Sequence, residues 1–276
     1  MDESDQIKHF LITRFNLKHS QWTKQNVLNS DWLYERIEIF EKICYPSVIN
    51  QTQKNFVWIL FFDIQTPLEI KHYIENKYRD KRLRIHYIDG FKELQSASKS
   101  IIKSLLNPSD YFITSRLDND DALHKDYIQT IQSLAILKTK TIIDLVKGNQ
   151  LVLHNNQGIA SLLVYKYNPF ISLISNAEKM ELVIEKEHTH WNNKAYTYIK
   201  YQKKALWLQY IHSNNQLNTF DHSLKKVTIN LNDFHITNLE IKPQSFKNKL
   251  FNIINLPLRL KNFIIMKIRN LKQRYL

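Results

Sequence analysis

Residues 111–121 read Tyr-Phe-Ile-Thr-Ser-Arg-Leu-Asp-Asn-Asp-Asp. The run Tyr111 to Leu117 suits a buried strand, and three carboxylates follow it within four residues. Upstream, two more apolar runs have the same character: His9 to Phe15 (HFLITRF) and Phe56 to Phe62 (FVWILFF), the latter ending at Asp63. Leu83 to Ile88 (LRIHYI) is a third. Helical segments separate them. Residues 31–43 carry Leu33, Ile37, Phe40 and Ile43 at helical spacing, with Asp31 as N-cap and Pro46 closing the element. Thr66-Pro67 opens a helix through Tyr78, and residues 91–106 form another, stopped near Asn107-Pro108. Strands alternating with helices predict crossover units and a mostly parallel sheet. Continuous rather than alternating apolar strands predict cover on both faces. Ligands of such sheets bind beyond the carboxyl ends of the strands. The residues to inspect are therefore Thr13, Arg14, Asp63, Asp89 and the acidic run Asp118 to Asp121.

The second half is mixed. Residues 124–137 predict a helix. Thr141 to Val146, Gln150 to His154 and Ala160 to Tyr165 predict strands of a smaller antiparallel element. Residues 170–184 fit either periodicity. Ala195 to Ile211 reads as helical in part, with Trp207 and Leu208 buried.

Composition excludes several classes. Only three glycines occur in 276 residues, Gly90, Gly148 and Gly158, all isolated. Ordinary usage would give roughly nineteen. Neither a Walker phosphate loop nor a dinucleotide fingerprint can be built from them. The chain is 43% hydrophobic and 12% aromatic, enough for a substantial core. Its one cysteine, Cys44, allows no intrachain disulfide and fits a reducing compartment. The acidic start Met1-Asp2-Glu3-Ser4-Asp5 has no hydrophobic region of a secretory signal, and no apolar run approaches a membrane span. A cytoplasmic location is expected.

Asp118, Asp120 and Asp121 repel one another unless a cation or solvent screens them. Hard divalent cations prefer oxygen ligands and fill their remaining positions with water and substrate phosphate. An EF-hand beginning at Asp118 needs Gly at its sixth position and Glu at its twelfth. Leu123 and Gln129 stand there. Spacing alone leaves two readings, a metal-carboxylate site and an Asp-rich turn capping the next helix.

The segment Tyr111 to Tyr127, with its Arg-Leu-Asp-Asn-Asp-Asp string, resembles the bacterial rhamnosyltransferase family, glycosyltransferases of GT-A type. His9 to Asn16 resembles the family's opening strand. Trp207-Leu-Gln-Tyr-Ile-His-Ser-Asn214, with Asn218 beyond, resembles its late tryptophan–histidine–asparagine signature. The resemblance covers roughly residues 8–220. It implies a GT-A-like (Rossmann-like) α/β fold, with a mixed, mostly parallel sheet flanked by helices. It implies that Asp118 and Asp120 form an Asp-x-Asp pair on Mn2+ or Mg2+, with Asp121 assisting and His212 reaching the metal or diphosphate. Thr13 and Arg14 would lie beneath the nucleotide. Asp63 would approach the base, Lys99 would face the nucleotide, and Arg116 and Asp118 would complete the donor site. For the base that activates the acceptor, the stretch 185–191 offers Glu187 first and His190 second, with Trp191 stacking on a sugar face. A metal pair of His188 and His190 would need a third ligand. The residues alone leave ordinary roles open: Asp63 as a helix cap, Lys99 solvated, His212 in the core.

The implied reaction moves a sugar from a nucleotide-sugar donor, such as dTDP-rhamnose or a UDP-sugar, to a glycan or lipid-linked glycan. It is expected to be inverting and to build a surface polysaccharide such as a capsule or lipopolysaccharide. Two rivals stand beside it. One is a non-catalytic protein binding nucleic acid or anionic membrane; the other is a metal-dependent phosphoesterase using the same acids. No nucleic-acid motif is present, so nucleic acid is not an expected partner.

The formal charge is +13, from 39 basic and 26 acidic residues. Nine of the basic residues lie beyond Glu240, where no acidic residue occurs. The rest of the chain holds 30 against 26, or +4. Leu256, Leu260, Phe263, Ile264, Ile268, Leu271 and Tyr275 recur at helical spacing, with Pro257 in the first turn. Residues 1–240 are thus expected to form the catalytic domain. Residues 241–276 are expected to form a basic amphipathic helical tail, suited to an anionic membrane surface. Truncation after Glu240 is expected to move the protein from the membrane to the soluble fraction on ultracentrifugation. An unchanged distribution would refute the assignment.

Overall fold

The computed structural model describes residues 7–19, 27–154, 157–212, 219–237, 239–241 and 246–261. β1 (Lys8–Arg14) leads to α1 (Ser30–Ile39), a π-helical turn over Phe40–Cys44 and α2 (Tyr45–Ile49). Asn29 is the N-cap, its Oδ1 accepting the Trp32 N–H at 3.0 Å; Asp31 falls inside the first turn instead. Pro46 does not close the helix as expected. The wide π turn frees carbonyls ahead of it, and Pro46 lies in the first turn of α2, where no N–H is required. β2 (Val57–Asp63), α3 (Leu68–Lys77), β3 (Leu83–Ile88), α4 (Leu94–Ser104) and β4 (Tyr111–Arg116) follow close to expectation.

β5 (Ala122–Leu123) precedes α5 (Tyr127–Ser133), which is shorter than expected because His124 to Asp126 form a tight turn. β6 (Thr141–Leu145), β7 (Lys147–His154) and β8 (Gln157–Val164) come next. β9 (Ser172–Asn176) resolves the ambiguous stretch as a strand. The helix anticipated over 195–211 is instead β10 (Thr197–Tyr201) and β11 (Trp207–Ile211). Trp207 and Leu208 are both fully buried but join different hydrophobic clusters, on opposite faces of β11. β12 (Lys226–Val227), β13 (Glu240–Ile241) and α6 (Phe246–Ile254) complete the described chain.

The main sheet has the order β10-β6-β9-β4-β1-β2-β3. β1, β2, β3 and β4 pair in parallel, as do β6 and β10; β9 alone runs antiparallel to both of its neighbours. This is the mixed, mostly parallel, helix-flanked sheet expected of a GT-A-like chain. Alternation along the strands supplies both faces. Leu11, Trp58, Leu60 and Phe62 pack with α1 to α3. Phe10, Ile12, Ile59 and Phe61 pack with Leu94 and Ile102 of α4.

A second sheet, ordered β12-β8-β7-β11-β5 with β13 beside β8, abuts the first. The anticipated antiparallel unit exists as β7 and β8, but β6 belongs to the main sheet. The short pairing of β5 with β11 brings the segment after Asp121 alongside the strand that ends before His212. Trp207 fixes that junction. Its ring stacks on Phe170 with centroids 4.5 Å apart, and Nε1 donates to the Leu145 carbonyl at 2.6 Å. Its other face lies on Gly148, where a Cβ would fall 2.0 Å from the indole.

α6 docks through Asn252, whose side chain exchanges hydrogen bonds with the backbone of Lys226. Residues 256–261 continue helically after it, with Pro257 in their first turn. The expected tail beyond Lys261, with Phe263, Ile264, Ile268, Leu271 and Tyr275, lies outside the described residues.

Gly148→Ala is expected to cost roughly 3 kcal/mol or more, at the upper end of overpacking, because the indole is held on both sides. A denaturant midpoint within error of the parent protein would show that Trp207 yields.

Candidate active site

β1 and β4 are adjacent and parallel, so their last residues, Arg14 and Arg116, emerge on one rim. The acidic turn follows β4 directly. Arg14 Nε lies 3.6 Å from Asp118 Oδ1, and Arg116 Nη2 lies 3.9 Å from Asp118 Oδ2. Both guanidinium groups, Asp118, Lys186 and Glu187 line a cleft floored by Ile12, Phe91, Leu94 and Ile184. The Arg14 guanidinium sits 5.3 Å from the Phe91 ring centroid. Burial lowers its pKa and Asp118 opposes that shift; a guanidinium remains charged throughout. Two cations facing one carboxylate leave the rim attractive to an anion.

Behind this rim the acids are buried. Asp120 Oδ2 lies 3.2 Å from Arg36 Nη2 of α1 and 3.1 Å from His212 Nε2. Arg36 Nη1 is also 3.1 Å from that imidazole nitrogen. Burial pushes the Asp120 carboxyl up, but Arg36 and His212 outweigh it and hold its pKa below the ordinary value. Asp121 differs. Its Oδ1 accepts the Tyr210 N–H at 3.0 Å, and burial beside Asp120 and Asp118 raises its pKa well above the usual carboxylate range. The adjacent acids are therefore divided into an ionised Asp120 and an Asp121 driven towards its neutral form. The same burial and the three aspartates push the Cys44 thiol well up. Asn119 ties the turn to β1, donating to the carbonyls of Arg14 and Phe15 at 3.3 and 2.8 Å.

The expected site residues divide into two groups. Arg14, Arg116, Asp118 and Glu187 share the cleft, and Asp120 meets His212 behind it. Asp121 is turned to the backbone of β11. Among the described residues, no group of three or more His, Cys, Asp and Glu side chains is arranged to hold a metal ion. Thr13 is fully buried and does not lie beneath an open site; its Oγ1 accepts the Trp58 indole N–H at 3.0 Å. Parity explains this, since Thr13 and Arg14 point to opposite faces of β1. Asp63 is also fully buried, and its carboxylate accepts the backbone N–H groups of Lys18 and Gln65. It organises the loops beyond β1 and β2 rather than facing a base. Lys99 Nζ pairs with Glu185 Oε1 at 2.9 Å. His190 is exposed, and neither it nor His188 is among the residues that line the cleft, although Glu187 beside them is. Trp191 cannot stack on a sugar, because it is fully buried with Ile142, Ile171 and Val183. His188 does not join His190 on a metal; its Nδ1 contacts the Tyr167 carbonyl. Asn214 and Asn218 lie outside the described residues.

Arg36 and Asn119 went unread in the sequence. Arg36 did leave a signal, a cation beside Ile37 and three residues beyond Leu33 on the buried stripe of α1.

A family model described as "Putative rhamnosyl transferase" matches residues 11–222. No curated protein matches the sequence. Among solved structures, S. aureus TarS 1–349 is similar at 11% identity and a TM-score of 0.40, over 74% of this chain and 60% of that one. The present chain thus spans 60% of the TarS chain's length. HddC from Yersinia pseudotuberculosis is similar at 11% identity and a TM-score of 0.39, over 74% and 93% of the two chains. The inositol-1-phosphate CTP transferase from T. maritima follows at 11% and 0.35, over 74% and 89%.

Removing Arg36 leaves buried negative charge without its cation. Arg36→Met is expected to lose roughly 3 kcal/mol of stability, as broken buried pairs do. A urea midpoint matching the parent protein would show that solvent or His212 compensates.

Proposed function

The chain belongs to the "Putative rhamnosyl transferase" family, and on that premise we propose that it is a metal-dependent, inverting glycosyltransferase. It takes a nucleotide sugar as donor, dTDP-rhamnose or a UDP-sugar, and a glycan or lipid-linked glycan of a bacterial surface polysaccharide as acceptor. The observation that carries the reading is the pair Arg14 and Arg116, set on adjacent parallel strand ends across Asp118 in one cleft. A diphosphate needs convergent fixed donors, and guanidinium forks supply them where no glycine-rich loop exists. Phe91, Leu94 and Ile184 give the same cleft an apolar floor for the rest of the donor. Glu187 on the cleft wall is positioned to hold an acceptor hydroxyl.

Asp120 and His212 are the residues that would hold a divalent cation, in exchange for their contacts with each other and with Arg36, although no three candidate ligands are gathered among the described residues. A carboxylate with an imidazole favours Mn2+ over Mg2+, and Asp118 at the rim is the third candidate. When bound, the cation would neutralise charge on the departing diphosphate. Arg36 holds Asp120 ionised, the protonation state that a ligand requires. Arg14 and Arg116 hold the diphosphate, and the departing negative charge grows against their N–H groups.

The tail supports a peripheral membrane site. Ile253, Ile254, Leu256 and Leu260 are each more than half exposed on the described helix, near Arg259 and Lys261. No helix among the described residues is long and apolar enough to cross a membrane. An apolar face bordered by cations matches a helix lying on anionic lipid.

Calorimetry against a panel of nucleotide sugars, with and without Mn2+, tests the proposal. One donor is expected to bind at least tenfold tighter with Mn2+, and Asp120→Ala is expected to abolish that gain. Binding of RNA with a steep salt slope and of no nucleotide sugar would overturn it.

A further inference from the structure

His188 opens a short 3-10 turn, His188–Trp191, directly after Glu187. The turn is anchored by Trp191, whose Nε1 donates to the Val183 carbonyl at 3.2 Å from within the core. The His188 ring is half-buried, and its Nδ1 lies against the Tyr167 carbonyl oxygen. A carbonyl oxygen only accepts, so Nδ1 carries the proton. The neutral ring then holds its lone pair on Nε2. Among the described residues, Nε2 has no hydrogen-bond partner.

The carbonyl that sets this tautomer is itself held in place. Tyr167 has a φ of 53°, a left-handed conformation that a bulky side chain rarely adopts. Asp144 secures it, with Oδ2 accepting the Tyr167 N–H at 2.6 Å and the Tyr198 hydroxyl at 2.7 Å. Asn168 Nδ2 donates to the other oxygen at 2.7 Å. Tyr198 also packs on the Tyr167 ring, with centroids 5.0 Å apart. A strained residue fixed by a buried carboxylate, its carbonyl aimed at one imidazole nitrogen, is more than a loop requires.

We infer that His188 is the catalytic base of the transfer, with Nε2 accepting the proton of the acceptor hydroxyl. This deepens the transferase reading and rests on it. As the proton leaves, the acceptor oxygen bonds to the anomeric carbon. The anomeric carbon–oxygen bond to the nucleoside diphosphate breaks, and its electron pair departs with the diphosphate. The proton remains on His188 Nε2 until solvent takes it, while the other proton stays on Nδ1, donated to the Tyr167 carbonyl.

The ring lies beside the cleft rather than in its lining, next to Glu187, and the cleft charges that reach it suit this task. Arg116 of β4 disfavours the imidazolium, while Glu187 and Asp118 favour it. The Tyr165 ring, directly after β8, lies beside it, with centroids 6.5 Å apart. Burial is the largest influence and brings the net pKa below the ordinary histidine value. The base is therefore unprotonated at neutral pH, and activity falls as pH drops through that lowered value. Glu187 and Asp118 then steady the imidazolium formed during transfer.

His188→Asn keeps an amide donor for the Tyr167 carbonyl but removes the base; His188→Ala opens space for added imidazole. Both are to be assayed in the full chain with the nucleotide-sugar panel, turnover being read as nucleoside diphosphate released. The expected result is at least a hundredfold loss of kcat, donor binding within twofold of the parent protein, and loss of the acidic limb of kcat/KM. Imidazole is expected to restore part of the activity of His188→Ala. An active parent protein with His188→Asn within threefold of it would overturn the role of His188 and leave the transferase reading intact. A parent protein that turns over no donor would overturn both. In the 15N-labelled protein, the His188 signal, assigned by its loss in His188→Asn, should show a protonated Nδ1 and a bare Nε2. The opposite tautomer would overturn the inference whatever the activity.

Discussion

Burying one carboxylate organises this protein. Asp120 lies against the end of the main sheet with almost no access to water, and an isolated ion there would be prohibitive. Its compensation comes from distant parts of the chain: Arg36 from the first helix and His212 from directly after β11 of the second sheet. Each partner needs its own element docked in place. The π turn and Pro46 carry α1 into α2 behind the acidic turn. The β5–β11 pairing, pinned by Trp207, delivers His212. The second sheet is thus part of the electrostatic support of the first.

The same constraint divides the labour among three neighbouring acids. Asp118 remains a third exposed at the rim, between two arginines. Asp120 is kept ionised, and Asp121 is pushed towards neutrality by its neighbours. Identical side chains in four consecutive residues thereby acquire different chemistry through burial and partners alone. A chain with so few glycines has no glycine-rich loop to wrap around phosphate. The cations of its cleft include two arginines, always charged, on strand ends that the sheet holds rigid.

Much of this was legible in the sequence because it is local. Continuous apolar strands ending in polar residues gave the parallel half of the main sheet, and the strand-end rule led to Arg14 and Asp118, while Arg116 came from the resemblance. The strand character of Ser172–Asn176 and Trp207–Ile211 was hidden, because both faces of each are covered and short apolar runs lack a diagnostic period. Strand parity could have separated Thr13 from Arg14 beforehand. Asp63 looked like a ligand because its backbone partners, the amides of Lys18 and Gln65, are invisible in one dimension. Arg36 and Asn119 matter only through residues far away in the chain, Asp120 and the end of β1. No spacing rule reaches that far.

The antiparallel β9 has a consequence for how the chain comes into being. It sits between β4 and β6, yet 57 residues separate Ser115 from its partner Ser172. During synthesis β4 emerges long before the strand that covers its outer edge. Until then that edge presents an apolar strand with unpaired amides, an invitation to another chain. Long-range insertion of this kind also slows folding, since the loop must close before its contacts repay it. The nascent protein therefore passes through an interval in which its main sheet is open on the β4 side, the kind of exposure that favours association between chains.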